Sequence, residues 1–352
     1  VFGPFHPAEI GPFSPALNGP FRPALTALKD EPIIGRIIDS GSCGDNVTWT
    51  LSENGLLTIS GTGEMTHADF NILDETDFNF SINKVIIESG VTSVCNKAFY
   101  HCLHLIEVDL PDSLLTIGEE AFSSCIELSE IYIPSSVTLI DDEALDECIE
   151  MTEINVSPDN RCYASIDGVL FSKDLKTLVK YPAGKKDLSY TVPDSVLEIM
   201  KGAFHNCTTL ESVSIPDEVL TIEKYTFSCC WKLKSITIPS SITNIAFGAF
   251  DSSDNLTDVY FKGTESQWDN VFIDNLNDPL QSSMVHYLEN ESVYVQQEAP
   301  AQEEPVFEIQ TIPNDTAIST ISSIDFNSPF DSPIAISLGG SFSAAIDSNG
   351  SL

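Results

Sequence analysis

Groups that can do chemistry are abundant in this chain, but few stand at the spacings a reaction needs. No H-x-x-x-H zinc pair, no phosphate loop and no G-x-S-x-G nucleophile elbow occurs. The densest set of possible metal ligands is His101-Cys102-Leu103-His104. Carboxylate pairs carry little information where 53 acids are present. Gly61-Thr62-Gly63 has the glycines of a phosphate loop, yet no helical pattern follows it, so a turn is expected. N-x-S/T sequons such as Asn46 and Asn255 acquire meaning only in a secretory host that glycosylates. What stands out is regularity. Cys102, Cys125 and Cys148 recur every 23 residues, as do Glu107, Glu130 and Glu153, and Cys207 and Cys230 resume the cysteine series.

That spacing comes from an internal repeat. Val108 to Glu130, Ile131 to Glu153, Tyr190 to Ser212, Val213 to Ser235 and Ile236 to Asp258 are variants of one 23-residue sentence, and Val85 to Glu107 is a looser copy. The period falls inside the roughly 20 to 29 residues of leucine-rich repeats. In the unit Leu128-x-x-Ile131-x-Ile133-Pro134-x-Ser136-Val137, Ile131 and Ile133 share one face of a strand. Pro134 cannot donate to a ladder and should end it. Ile140, Ala144, Leu145, Cys148 and Met151 follow at spacings near three and four, which predicts a helical turn or two. One unit cannot bury both faces alone, so the copies must stack.

Stacking assigns roles. The repeated cysteines face inward, where a thiol behaves as a small apolar residue. Cys102 is one of them, so His101 and His104 are expected in solvent rather than on a metal. Cys43, Cys95, Cys162 and Cys229 lie off this column, and their pairing stays open. With strands about 4.8 Å apart, Glu107, Glu130 and Glu153 form a stripe of carboxylates just before the strands. Asp109 and Tyr132 lie beside them at the outward strand position. Like charges so close are unfavourable unless paired, so the stripe is either a solvated acidic face or a contact for a cation or a basic side chain. The period breaks between Ile154 and Ser189. Asp167 to Phe171 and Thr177 to Tyr181 read there as a hairpin insertion, and it concentrates Arg161, Lys173, Lys176, Lys180, Lys185 and Lys186, six of the sixteen basic residues. A basic island in an acidic chain is the best local candidate for a contact surface.

The I-x-I-P-x-S-V box, the Ile117-Gly118-Glu119-Glu120-Ala121-Phe122 run and the Cys-x-x-Leu that follows resemble the BspA-like leucine-rich repeat family of surface proteins. The likeness spans roughly Cys43 to Tyr287. It includes Gly44-Asp45-Asn46-Val47-Thr48-Trp49 with Gly55 to Met65 ahead of the repeats, and a G-T-x-x-Q-W segment, Gly263 to Trp268, behind them. Ser136 departs from the Asn or Cys usual at its ladder position, which predicts a weaker inner ladder. The resemblance implies a protein that adheres to host or bacterial surfaces.

The expected fold is therefore a leucine-rich repeat superhelix of α/β class, short parallel strands plus short helical turns, with a β-hairpin N-terminal cap. By residue number, 1–36 is a tail built on the octapeptide GPFxPAxx; 37–84 is the cap, with an Asn54-Gly55 hairpin turn; 85–258 is the array, interrupted at 154–189; 259–288 is the C-terminal cap; 289–332 is an acidic linker. Residues 333–352 resemble the start of a propeller repeat of the regulator-of-chromosome-condensation type, though Phe342 stands where His is usual. The formal net charge of −37 argues against nucleic acid and anionic membranes as partners. No apolar run is long enough for a membrane span. The chain does not begin with Met, which reads as a fragment. The sequence-level expectation is a monomeric, non-enzymatic, secreted or cell-surface scaffold without a cofactor. It would bind a protein or cell-surface ligand through its concave strand face and its insertion, or serve as a spacer presenting a neighbouring domain.

Overall fold

The computed structural model describes residues 35–68 and 82–289, together with the backbone of Ala335–Leu338 and Phe342–Ala345. The proline-rich tail up to residue 34 and the acidic linker lie outside the described residues. The chain divides into two compact units, Val1–Gln297 and Glu298–Leu352. In the second, Ala335–Leu338 pairs antiparallel with Phe342–Ala345.

The first unit is a stack of short strands carried on two parallel ladders. Copies align at the sequence period: Glu153 pairs with Glu130, Val213 with Ile236 and Ile236 with Val259. Alternation holds on the first ladder. In Glu130–Ile133, Ile131 and Ile133 are buried while Glu130 and Tyr132 are exposed. A second ladder follows each Pro-containing turn, with two-residue strands such as Thr116–Ile117 and Leu139–Ile140.

The expected helical turns are largely absent. Among the described residues only Glu265–Trp268 and Asp278–Gln281, both beyond the last copy, are α-helical. The apolar spacing of three and four is met instead by a train of turns. Pairs of residues four apart adopt left-handed backbone: Lys97 and His101, Glu120 and Ser124, Gly202 and Asn206, Tyr225 and Cys229. Their N–H groups alternate in direction. Ala98 donates to Cys95 O within its own turn at 3.2 Å, Phe99 to Ala121 O of the next copy at 2.8 Å, Tyr100 back to Lys97 O at 3.2 Å, and His101 forward to Ser123 O at 3.0 Å. A helix would direct every N–H to its own fourth-preceding carbonyl. The turn train spends half of them on the neighbour, and those bonds offset the cost of left-handed backbone at residues that are not glycine.

Repeated side chains form columns beneath this train. Phe99 stacks on Phe122 at 5.1 Å, and Tyr181, Phe204, Phe227 and Phe250 continue at 5.2, 5.0 and 5.3 Å. Leu145 interrupts the series, and the insertion's Tyr181 restarts it. The hydroxyl ladder is intermittent, as the sequence implied. Ser113 and Ser241 donate to Val91 O and Val219 O of the preceding copy at 2.8 and 2.6 Å, whereas the buried Ser136 hydroxyl has no hydrogen bond among the described residues.

Both ends are closed. Ile37–Ser42, Val47–Ser52 and Leu56–Gly61 form an antiparallel cap whose last strand pairs parallel with Lys84–Ile87. Gly61 is a cap turn rather than a phosphate loop. Its φ is 122°, and a Cβ there would lie 2.0 Å from Asn46 O. At the far end Met284–Tyr287 pairs with Asp258–Phe261. Buried Asn277 then accepts the Phe250 N–H at 3.0 Å and donates to Ala246 O at 3.0 Å, standing in for the next turn.

The insertion is a hairpin, with Val169–Ser172 antiparallel to Thr177–Lys180, and it has an extra arm, Tyr163–Ile166. Thr177–Lys180 joins the second ladder beside Glu198–Ile199, so the insertion takes the place of a coil. It also separates two cores. Leu170 packs in the cluster running back to Cys43, while Val169 and Phe171 pack in the cluster running on to Leu280.

Candidate functional site

The strand face arises because alternate residues of each short strand must point away from the core. Glu107, Glu130 and Glu153 lie on this ladder, with Asp109 and Tyr132 beside them. The stripe is not a row of bare carboxylates. Lys84 sits in register with Glu107, its Nζ is 2.7 Å from Glu107 Oε1 and 3.8 Å from Asp109 Oδ2. This exposed pair is worth only about 0–1 kcal/mol, but it supplies the basic side chain that a carboxylate stripe calls for. Glu130 and Glu153 continue the stripe in register, and Asn155 donates to Glu153 Oε2 at 3.3 Å. Tyr132 is 52 % exposed. Farther along the same outward column are Tyr260 and His286, stacked at 4.8 Å, with His286 against Asp258 at 2.8 Å. Hydrogen bonds from His286 and Thr257 hold the Asp258 carboxyl below its usual range.

The basic insertion separates into two groups. Arg161, Lys173, Lys176 and Lys186 are exposed. Lys185 is half-buried and turned inward, with Nζ 2.8 Å from Asp167 O and 3.5 Å from Asp187 Oδ2. Lys180 is a correction. It is 7 % exposed, and its ammonium donates to the Asp146 carboxylate and, at 2.8 Å, to Gly202 O. It is not available as a surface contact. Nor does the fold gather the acidic stripe and the basic insertion into one site. The stripe belongs to the first ladder and Thr177–Lys180 to the second. They meet along Glu153–Val156: Gly168 O accepts the Ile154 N–H at 2.8 Å, Ser165 Oγ donates to Ile154 O at 2.6 Å, and a Cβ on Gly168 would lie 3.1 Å from Glu153 Cα.

The cluster around Lys180 was not legible in the sequence. Glu120 and Ser124 pass their N–H groups to Asp142 O and Asp146 O of the next copy. Among the described residues, the corresponding N–H groups of Glu143 and Glu147 meet no such carbonyl, because the insertion carries no turn train there. Side chains bridge the gap instead. Asp146 receives Lys180 from the insertion and, at 3.0 Å, His205 Nδ1 from the following copy. Lys201 reaches Glu143 at 3.0 Å. Burial alone would raise the Asp146 carboxyl; the charges and hydrogen bonds of Lys180 and His205 outweigh it and hold it below its usual value. The sequence separations, 34 and 59 residues, are not multiples of the period, so laying copies in register cannot find them.

Three carboxylates, Glu119, Glu120 and Glu143, have oxygens within 4.8 Å of one another. Lys97 lies 3.2 Å from Glu120, and Lys201 is already on Glu143. Two of the three charges are thus met by ammonium groups, and the set is a salt-bridged patch rather than an open cation site. His104 lies 2.8 Å from Glu127, and His101 is exposed while Cys102 is buried, so this trio does not converge.

No disulfide joins any of the nine cysteines. Those of the column are buried as expected, but they also act as donors. Cys125, Cys148 and Cys230 Sγ lie 3.2, 3.2 and 3.1 Å from Phe99 O, Phe122 O and Phe204 O of the preceding copy. Ser253 replaces cysteine in the last copy and donates to Phe227 O at 2.6 Å. Burial pushes the Cys102 and Cys148 thiols up to about 12, which leaves the column unreactive at neutral pH.

The model of the BspA-type leucine-rich repeat region matches residues 71–189 and 184–277, six copies in all. No curated protein matches the chain at comparable stringency. Among solved structures, a leucine-rich repeat protein from Eubacterium ventriosum is 22 % identical with a TM-score of 0.48, covering 71 % of this chain and 78 % of its own. A leucine-rich cell surface protein from Faecalibacterium prausnitzii is 20 % identical with a TM-score of 0.48, covering 67 % and 98 %. The pneumococcal vaccine antigen PcpA is 16 % identical with a TM-score of 0.47, covering 65 % and 82 %. The family match spans more than half of the chain and coincides with the stacked copies. The chain belongs to the BspA-type leucine-rich repeat family.

Proposed function

We propose that this protein is a non-enzymatic binding scaffold of the cell surface, using its strand face to hold another protein and so mediating adhesion. The observation that carries this reading is the partition of variation between copies. Inward positions repeat almost without change, while the outward column reads Asp109, Tyr132, Asn155, Thr191, Ser214, Thr237, Tyr260 and His286 along stacked strands. A stack that varies mainly where it meets solvent suits recognition by many small contacts, with the exposed tyrosines as anchors. Surface location is supported by the family; no helix among the described residues is long and apolar enough to cross a membrane.

The test is capture on arrayed extracellular-matrix and cell-surface proteins. The Glu107→Gln/Glu130→Gln/Glu153→Gln variant and a Tyr132→Ala/Tyr260→Ala variant should each lose the parent's catch. Reversal of Lys173, Lys176 and Lys186 to Glu asks the same of the insertion without removing the packed hairpin. Parent-like binding by all three would discard these surfaces. A second reading, a spacer presenting a neighbour, is favoured by the separate unit Glu298–Leu352, and it gains if the parent captures nothing.

A further inference from the structure

Three exposed leucines, Leu115, Leu197 and Leu220, stand at one repeat position just before the second-ladder strands, and Leu139 and Phe272 stand one residue further on; all five are between 44 and 62 % exposed. The backbone does not demand them. Leu115 donates to Thr92 O and accepts from Thr138 N–H, and Thr243 N–H donates to Leu220 O, so threonine fills the same rung in neighbouring coils. A rung that takes Thr yet carries Leu in water is a poor choice for folding alone. Leu197 and Leu220 are brought together on one shallow depression whose remaining walls are Glu198, Glu218, Thr221 and Glu223. None of these three carboxylates is in an ion pair among the described residues, and Glu198 accepts only a long 3.5 Å bond from Thr177. Lys176, whose carbonyl accepts the Leu197 N–H, is paired with none of them. The depression is too open to enclose a small molecule.

We propose that this depression is a second docking surface, and that its occupant is an extended segment of a partner protein in which lysine or arginine alternates with apolar residues. Apolar side chains would cover Leu197 and Leu220, and the basic ones would meet Glu198, Glu218 and Glu223. Charge complementarity selects this chemistry: the chain's own net charge of −37 repels acidic partners, and exposed leucines give a purely ionic ligand nothing to bury. The inference rests on the scaffold reading above but not on the strand face.

The probe is a short synthetic peptide alternating Lys and Leu, with Lys–Ser and Glu–Leu peptides of equal length, followed by fluorescence anisotropy. Binding of the Lys–Leu peptide alone is expected. It should weaken about tenfold or more in both Leu197→Ser/Leu220→Ser and Glu198→Gln/Glu218→Gln/Glu223→Gln, while the strand-face variants bind like the parent. Equal binding of the Lys–Ser peptide, parent-like binding by both depression variants, or no binding at all would each overturn the proposal. Residues 20–29, PFRPALTALK, carry related chemistry, so the chain lacking residues 1–34 is measured too. Unchanged affinity is expected, and a gain on truncation would make the chain's own tail the occupant and discard the partner. Parent-like capture by the strand-face variants, with peptide binding lost only in the depression variants, would sink the adhesion surface and leave this one standing.

Discussion

Single residues divide into those the period reveals and those it hides. Leu128 is fully buried at a repeated position, and Leu128→Asp should unfold the array by placing an unpaired charge in the core, at a cost above about 4 kcal/mol. A melting temperature equal to the parent's would refute the register. Cys125→Ala should cost only about 1–2 kcal/mol, for a small cavity and a lost thiol bond. The burial of the thiol column was legible, since residues at one repeat position share one environment. Its bonds to phenylalanine carbonyls were not, because they depend on where the previous turn points its oxygens. Mass spectrometry after alkylation should find the five column thiols unmodified in the folded protein and modified in urea. Asp146 lies at the other extreme. Asp146→Asn leaves Lys180 buried without its counter-charge and should cost about 3–5 kcal/mol at neutral pH by urea denaturation. Its sign with pH is fixed. A carboxyl held below its unfolded value stabilises above that value, and the stabilisation is lost as pH falls through the folded one. The gap between parent and variant should therefore narrow below about pH 4.

Strands and caps could be read from alternation, Pro134 and Asn54-Gly55, and they stand where those residues put them. The turn train could not. Apolar spacing of three and four serves a helix and a chain of turns equally well, and what decides between them is whether backbone N–H groups find carbonyls in the next coil, a fact of stacking rather than of local sequence. The insertion shows the same limit. Its hairpin was visible, but its basic residues drew attention to its surface, whereas Tyr181 is fully buried and Phe171 nearly so. Tyr181→Ala should cost about 3–5 kcal/mol, far more than charge reversal at exposed Lys173 or Lys176. Removing residues 160–187 should expose both cores and abolish cooperative unfolding, measurable by circular dichroism in urea. Preserved cooperativity would show that the copies on either side can stack directly.

For the whole molecule, composition announced an acidic scaffold, and the period announced how it is built. With a net charge of −37, like charges crowd a stack whose acidic stripe runs over three copies, Glu107, Glu130 and Glu153. Added salt should screen them and raise the melting temperature by a few degrees, and a fall would indicate that ion pairs such as Lys180 with Asp146 dominate instead. Which surface binds was the least legible property. Recognition depends on side chains that differ between copies, and one unaligned sequence cannot separate a difference that matters from one that is merely tolerated.

The hairpin seam also has a mechanical meaning. Elsewhere each coil is tied to the next by backbone bonds along the turn train and at least one ladder. At Asp146 the turn-train ties give way to charged side chains, and few backbone bonds, such as that from Gly184 N–H to Met151 O, join the insertion to the copy before it. A molecule pulled from its two ends, as a tether is when cells shear apart, would therefore yield there first. It would release two still-folded halves before either unravels, and a single-molecule stretching trace should show a small early rip followed by larger ones.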